Sequence, residues 1–179
     1  MRQVGIWLIG LVLLVPAMPA PAADAPLVEA TKEGDLARVR QLLENSVALA
    51  SSEADGTTAL HWASHRNNFV IAELLVQSGA PVNVTNRYGV TPLALAAVNG
   101  SAPMIELLLD GGADANRPNP DGETPLMTAA RTGTVDAVQV LLSNGANVDA
   151  VETWRGQTAL MWASASSRIR RLSLARAGP

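Results

Sequence analysis

The sequence predicts an all-α solenoid of stacked helix-turn-helix units, joined by β-turn or hairpin-like loops. The main reason is a fixed period: Thr58, Thr91 and Thr124 lie 33 residues apart, and leucines and glycines keep the same step. A second reason is that each period holds two short runs with apolar residues at helical spacing. A period of this length is typical of repeat architectures, because one unit cannot bury its apolar side alone.

Residues 121–149 show how each element of one unit is predicted. Asp121-Gly122 predicts a tight turn, since Gly accepts a positive φ. Thr124-Pro125 predicts a helix start, because Thr caps free N–H groups and Pro suits the first helical position. Gly133 predicts a left-handed end to that helix. A second helix follows, and its expected apolar face is Val135, Val138, Leu141 and Leu142.

The repeated motif resembles the Thr-Pro-Leu-His-x-Ala run of the ankyrin-repeat family. In this chain the motif stands at Thr58–Ala63, Thr91–Ala96, Thr124–Ala129 and Thr158–Ala163. The last copy follows the third by 34 residues, so one residue is added in the Glu152–Gly156 turn. The resemblance spans residues 27–164 and implies an ankyrin-repeat solenoid.

Residues 1–22 have the pattern of a signal peptide, with Arg2, an apolar run at 4–15, and small residues at Ala20 and Ala22. We expect cleavage after Ala22, with Ala23 as the alternative. An uncleaved anchor is the other interpretation, although a membrane span needs about 20 apolar residues. The features predict a protein exported to a bacterial periplasm, with secretion as the alternative.

The period divides the rest of the chain into repeats. Residues 27–50 are predicted to form an N-terminal capping repeat, in which Leu27, Val28 and Ala30 stand in for the missing Thr-Pro-Leu. Full repeats are predicted at 51–85, 86–118 and 119–151, and an incomplete one at 152–179. In that last repeat Ile169, Leu172 and Leu174 predict either a weak outer helix or a frayed, truncated or frameshifted tail, with early proteolytic release after about residue 166.

No pattern in the chain supports catalysis or a cofactor. Glycine-rich phosphate loops and a Gly-x-Ser-x-Gly nucleophile turn are absent from the sequence, and so is cysteine. The net charge of −3 gives no general attraction to nucleic acid. His61 and His65 have a spacing that can hold zinc, so a small metallohydrolase is a remote alternative. The resemblance instead implies that the His61 ring bonds the backbone of the adjacent turn.

The resemblance implies that another protein binds in a concave groove formed by turn tips and inner helices. Carried over by register, the groove residues are His65, Arg66, Arg87, Tyr88, Val90, Asp121, Glu123, Arg131, Trp154, Arg155 and Gln157. Trp62 and Trp162 are expected to pack between repeats. The function predicted is that of a non-catalytic, monomeric binding or scaffold protein, with no nucleic-acid partner and no stable membrane anchor after signal cleavage. A secreted binder directed at a host protein or a toxin is the alternative.

Overall fold

The protein is all-α, as predicted. A computed structural model describes residues 25–45 and 49–165. Within these ranges the chain contains eight complete helices, α1 (Pro26–Glu33), α2 (Leu36–Glu44), α3 (Ala59–His65), α4 (Phe69–Gln77), α5 (Pro92–Asn99), α6 (Ala102–Asp110), α7 (Pro125–Thr132) and α8 (Val135–Ser143). Residues 159–165 belong to a further helix, α9. The predicted signal peptide and the predicted tail after residue 165 lie outside the described residues.

The helices stack in two rows. The inner row consists of α1, α3, α5 and α7, each packed against the next, and the outer row of α2, α4, α6 and α8 packs in the same order. Each inner helix also packs against the outer helix that follows it. No helix in the described part of the chain is long and apolar enough to cross a membrane.

The inner helices begin and end where the sequence predicts. The side chains of Thr58, Thr91 and Thr124 each accept a hydrogen bond from the N–H three residues further on, at 3.1–3.4 Å. Pro92 and Pro125 occupy the first turns of α5 and α7. The left-handed residue that ends these helices is Gly in two of the full repeats, and in α3 it is Asn67 (φ 53°), the residue that best replaces Gly there.

The core is a row of equivalent side chains that runs through all the layers. Leu75, Leu108 and Leu141 of the outer helices are fully buried at the same register position, and Leu60, Leu93 and Leu126 of the inner helices are buried in the same way. In the first repeat Leu27, Val28 and Ala30 are fully buried, so they do replace the missing motif.

One expectation about the apolar face of α8 was wrong. Only Leu141 of the expected face is fully buried, whereas Val135 is 65 % exposed and Leu142 is 42 % exposed. Ala137, which was not part of the expected face, is buried instead. The reason is that α8 packs against α6 and α7, while the described residues contain no outer helix after α8.

Asparagine side chains tie the loops after the outer helices to the next repeat. Asn83 donates to the carbonyl of Gly112 (2.8 Å) and accepts from the N–H of Asp114 (2.8 Å). Asn116 makes the same two bonds one repeat later, to Gly145 (2.9 Å) and Asn147 (2.6 Å). These bonds satisfy backbone groups at helix ends and fix the rotation between neighbouring repeats.

Replacing Leu108 by Ala should lower the free energy of unfolding by about 2–5 kcal/mol, because the lost side chain leaves a cavity in the core. Val98→Ala is the control, since Val98 is exposed on α5, and it should change stability by less than about 0.5 kcal/mol. Urea denaturation followed by circular dichroism measures both. Equal effects of the two substitutions would contradict the stacked core.

Candidate binding groove

Four hairpin-like loops directly precede α3, α5, α7 and α9. They are residues 53–57, 86–90, 119–123 and 152–157, and each is closed by a backbone hydrogen bond from its first residue to its last, at 2.9–3.1 Å. We call the residues between these ends the loop tips. The first loop contains no full strand; its neighbouring residues Ser52 and Thr58 form an isolated β-bridge.

In each of the two middle loops, the side chain of the first residue, an asparagine, accepts hydrogen bonds from the loop backbone. The Oδ1 atom of Asn86 accepts from the N–H groups of Tyr88 (3.0 Å) and Val90 (3.1 Å). Asn119 accepts in the same way from Asp121 (3.0 Å) and Glu123 (2.9 Å). These two roles were not predicted from the sequence, although the 33-residue spacing of Asn86 and Asn119 is a signal for them.

Glu152 takes this role in the fourth loop, which is one residue longer. Its carboxylate accepts from the N–H groups of Trp154 (2.6 Å), Arg155 (2.9 Å) and Gln157 (2.9 Å). The longer side chain of Glu reaches across the added residue. The bond from the Gln157 N–H, followed by those from Trp154 and Arg155, lowers the pKa of Glu152 below its usual range. The backbone below Trp154 is therefore held by an ionised carboxylate.

Neighbouring tips also contact each other. Arg87 donates its N–H to the carbonyl of Asp55 (2.6 Å), and Thr153 donates to the carbonyl of Asp121 through both its N–H (2.9 Å) and its hydroxyl (2.8 Å). Pro120 stands at the equivalent position in the third loop and has no N–H to donate. Its ring packs instead against Gly89 (φ +70°), where a β-carbon would lie only 2.5 Å from the Pro120 Cδ.

The predicted groove residues fall into three groups in the structure. At the tips the side chains are exposed, with Tyr88 61 % and Trp154 82 % exposed; the others in this group are Arg87, Asp121 and Arg155. At the ends of the inner helices, His65, Arg66 and Arg131 are also exposed. At the bases of the loops, Val90, Glu123 and Gln157 are only half-buried.

Two tryptophans that were expected to pack between repeats do pack against the core, and they also form part of this surface. Trp62 and Trp162 occupy the same register position and are half-buried. Lys32 Nζ lies 5.0 Å from the ring centre of Trp62, and Arg131 Cζ lies 5.7 Å from that of Trp162. Both cations come from the same position of the preceding repeat, so the same cation–π contact occurs towards both ends of the groove.

The polar surroundings of the two tryptophans differ. Trp62 Nε1 donates to Glu53 Oε2 (2.9 Å), and Lys32 donates to the other oxygen (3.0 Å). The hydrogen bond with Glu53 raises the pKa of Lys32. Trp162 Nε1 is buried without a hydrogen-bond partner among the described residues. Glu152 stands at the register of Glu53, but its carboxylate is already bonded to three N–H groups of its own loop.

The last two tips enclose a cleft of about 280 Å³. Five of the predicted groove residues meet here, namely Asp121, Glu123, Trp154, Arg155 and Gln157, together with Glu152 and Trp162. Arg131 lies beside this cleft, because it stacks on Trp162 and pairs with Glu123 at 3.6 Å. Arg87 and Tyr88 form a separate contact at the second tip, where the guanidinium lies 5.5 Å from the ring centre.

His61 has the structural role that the resemblance implied. Its ring is fully buried, its Nδ1 accepts the N–H of Thr58 (3.2 Å), and its Nε2 lies 3.0 Å from the carbonyl of Val90 in the next loop. His65 is exposed and sits edge-on to Trp62 at 5.7 Å. Since both ring nitrogens of His61 are engaged, it could bind a metal only by giving up its bond to Thr58 or its bond to Val90. The described residues contain no group of three potential metal ligands.

Comparison with known proteins gives a family match over most of the chain. The family model described as ankyrin repeats (3 copies) matches residues 27–119 and 111–175. The chain is similar to palmitoyltransferase AKR1 of Yarrowia lipolytica, at 39 % identity over 61 residues, and to osteoclast-stimulating factor 1 of Bos taurus, at 41 % over 59 residues. Each match covers about a third of this chain, but only 9 % of the first relative and 28 % of the second.

Removing the His61 ring should change how stability depends on pH. Burial lowers the pKa of His61 below its usual 6.5, so the unfolded chain binds this proton more readily than the folded one. The contribution of His61 is therefore fully present above about pH 6.5 and is lost as the pH falls below that value. Urea denaturation between pH 7.5 and pH 5.5 should show a smaller pH effect in His61→Gln than in the wild type.

His65→Gln is the matched control for this measurement, because His65 is exposed on the same helix. It should keep the pH dependence of the wild type. The assigned role of His61 would be wrong if His61→Gln and the wild type lost stability in parallel on acidification.

Proposed function

This chain belongs to the ankyrin-repeat family, and from that premise we propose that it binds another protein in the groove between its loop tips and inner helices, without chemistry of its own. The ankyrin-repeat fold is typically non-catalytic, and its repeats generally mediate binding to other proteins. The observation that carries the proposal is the cluster of aromatic and arginine side chains on this surface. Such residues contribute most of the binding free energy at protein interfaces.

The exposed aromatic residues lie on backbone that is already ordered. Tyr88 and Trp154 are the most exposed aromatic side chains among the described residues. Their own N–H groups are bonded to the side chains of Asn86 and Glu152, respectively. Because the loops are held by hydrogen bonds before any partner arrives, association has to order little more than the side chains. That favours tight binding from a modest contact area.

The cleft between the last two tips favours a partner with a side chain that can enter it. Trp154 and Trp162 supply apolar surface there, while Asp121 and Glu123 supply carboxylates. A polar rim around an aromatic centre is typical of specific protein interfaces. The palmitoyltransferase activity in the name of one relative belongs to a protein of which the match covers only a small part.

The compartment that we propose is the bacterial periplasm, with secretion as the second possibility. The support is the sequence of residues 1–22, which combines a basic start, an apolar run and small residues before a cleavage position. The lack of cysteine also suits an oxidising compartment, since no thiol can form a wrong disulfide. Cell fractionation of the native host, with N-terminal sequencing of the purified chain, tests this proposal.

The double substitution Tyr88→Ala with Trp154→Ala should weaken partner binding at least several-fold, because it removes the two exposed aromatic anchors. Helicity and melting temperature should stay unchanged, since neither side chain is buried. The partner is first isolated by affinity capture from an envelope extract with the wild-type chain, and the affinity is then measured by calorimetric titration.

The control for this titration is Val70→Ala with Gln77→Ala, which changes two exposed side chains of the outer helix α4. The control chain should bind as the wild type does. An unchanged affinity of the Tyr88/Trp154 variant would remove these residues from the interface, and an equal loss in the control would move the interface away from the groove.

A further inference from the structure

The cluster around Trp62 shows how this fold holds a carboxylate. Trp62 Nε1 donates to Glu53 Oε2 (2.9 Å), and Lys32 Nζ donates to Glu53 Oε1 (3.0 Å). The Lys32 ammonium also lies 5.0 Å from the centre of the indole ring. An indole N–H and a cation stacked on the same ring therefore bind one carboxylate at two points. Hydrogen bonds to an ionised acceptor are stronger than those between neutral groups.

The same two donors recur at the other end of the groove without a carboxylate between them. Arg131 stands at the register of Lys32, and its Cζ lies 5.7 Å from the Trp162 ring centre. Trp162 Nε1 is buried and has no hydrogen-bond partner among the described residues. Glu152 stands at the register of Glu53 but accepts three N–H groups of its own loop instead. A buried N–H without an acceptor costs free energy, which an acceptor from another molecule would recover.

The cleft beside Trp162 is built from loop and inner-helix residues. Its lining consists of residues of the third and fourth loops together with Trp162 itself. The groups that bond or stack on the equivalent Trp62 are Lys32, Glu53, His65 and Arg66, and all of them lie outside the outer helices α2 and α4. A site of this kind therefore does not need residues of an outer helix to form it.

Two of the three carboxylates that line the cleft are already engaged. Glu152 is bonded to its own loop, as described above. Glu123 Oε1 accepts from the hydroxyl of Thr128 (2.7 Å) and pairs with Arg131 (3.6 Å). The remaining carboxylate is that of Asp121, which is exposed at the third tip. Repulsion of an incoming anion therefore comes mainly from one exposed side chain.

A cation at the register of Arg131 can hold two carboxylates at once. Lys32 pairs with Glu53 at 3.0 Å and with Glu29 at 3.6 Å. The guanidinium of Arg131 has five N–H donors, more than an ammonium offers. Arg131 can therefore keep its pair with Glu123 and still bond a second carboxylate.

We propose that the cleft beside Trp162 binds an acidic side chain of the partner protein. One carboxylate oxygen accepts from Trp162 Nε1 and the other from Arg131, as Glu53 bonds Trp62 and Lys32 at the other end of the groove. Because Nε1 has almost no contact with solvent, the carboxylate must displace an exposed side chain such as Arg155. This inference rests on the proposed function and gives the chemistry of the partner segment.

The first test needs no ligand. Trp162→Phe keeps an aromatic ring and removes the N–H, so the melting temperature of the full chain should stay unchanged, because Nε1 bonds nothing. Trp62→Phe is the matched control at the same register, and it should lower the melting temperature, because Glu53 loses a donor. Equal destabilisation by the two substitutions would mean that Trp162 Nε1 already has an acceptor within the chain, which would overturn the proposal.

The second test uses a defined peptide. Each of the four tryptophans gives one indole resonance in a ¹⁵N-labelled full chain, and the Trp162 resonance is the one that Trp162→Phe removes. Acetyl-Ala-Glu-Ala-amide should shift it saturably, whereas acetyl-Ala-Gln-Ala-amide should not. Arg131→Gln should raise the dissociation constant at least about fivefold, because a charge-assisted bond is lost. Asp121→Asn should lower the dissociation constant, because it removes the exposed like charge.

A variant with Glu53→Ala tests the comparison between the two ends of the groove. It removes the acceptor of Trp62 Nε1, so the Trp62 indole should now also respond to the glutamate peptide. In the wild type the Trp62 indole should not respond, since Glu53 occupies the position.

Three results of the peptide titration would overturn the proposal: no shift of the Trp162 indole, an equal shift with the glutamine peptide, or a stronger response to acetyl-Ala-Gln-Ala with a free terminal carboxylate. The last would assign the site to a chain end. These outcomes are distinct from the Tyr88/Trp154 titration with the native partner. Failure of the peptide to bind leaves the groove as an interface of other chemistry, whereas an unchanged affinity in that titration argues against the groove residues themselves.

Discussion

Every layer of this protein depends on burial by the next one. A pair of helices of seven to nine residues has one apolar side and too little length to be stable alone. Leu75, Leu108 and Leu141 are fully buried, because each is enclosed by packed helices of its own and adjacent repeats. The small alanines between them allow the layers to approach closely. The hydrophobic core therefore runs along the stack, and the burial of each repeat depends on the repeats next to it.

The loops are stabilised by hydrogen bonds rather than by apolar packing. Because they contain no regular strands, side chains must bond the N–H and carbonyl groups of their backbone. Asn86, Asn119 and Glu152 do this from inside their loops, and Asn83 and Asn116 do it in the segments between the outer helices and those loops. These side chains are engaged in hydrogen bonds within the chain itself. The exposed surface lies at the tips and at the ends of the inner helices, where Tyr88, Trp154 and the arginines are found.

Periodicity was enough to predict the helices and their caps, since these depend on local patterns repeated every 33 residues. The role of His61 was implied by the resemblance to the ankyrin-repeat family. Periodicity was not enough for Val135 and Leu142, because exposure depends on whether a following helix covers them. The roles of Asn86 and Glu152 were not predicted, because the path of the loop backbone in three dimensions decides which side chain reaches its N–H groups. Trp62 and Trp162 were assigned to packing alone, as the stacking of Lys32 and Arg131 on them depends on distances between repeats that a linear pattern does not contain.

Pro120 changes how firmly the second and third loop tips are joined. The first and second tips are linked by a directional backbone bond, as are the third and fourth, whereas the second and third meet only through the contact of the Pro120 ring with Gly89. Such a contact resists compression but not separation. Moving these two tips apart breaks no hydrogen bond between them, so a partner that parts the tips meets less resistance here than at the other two junctions. The bonds of Asn83 and the packing of α5 on α7 still hold the two repeats together.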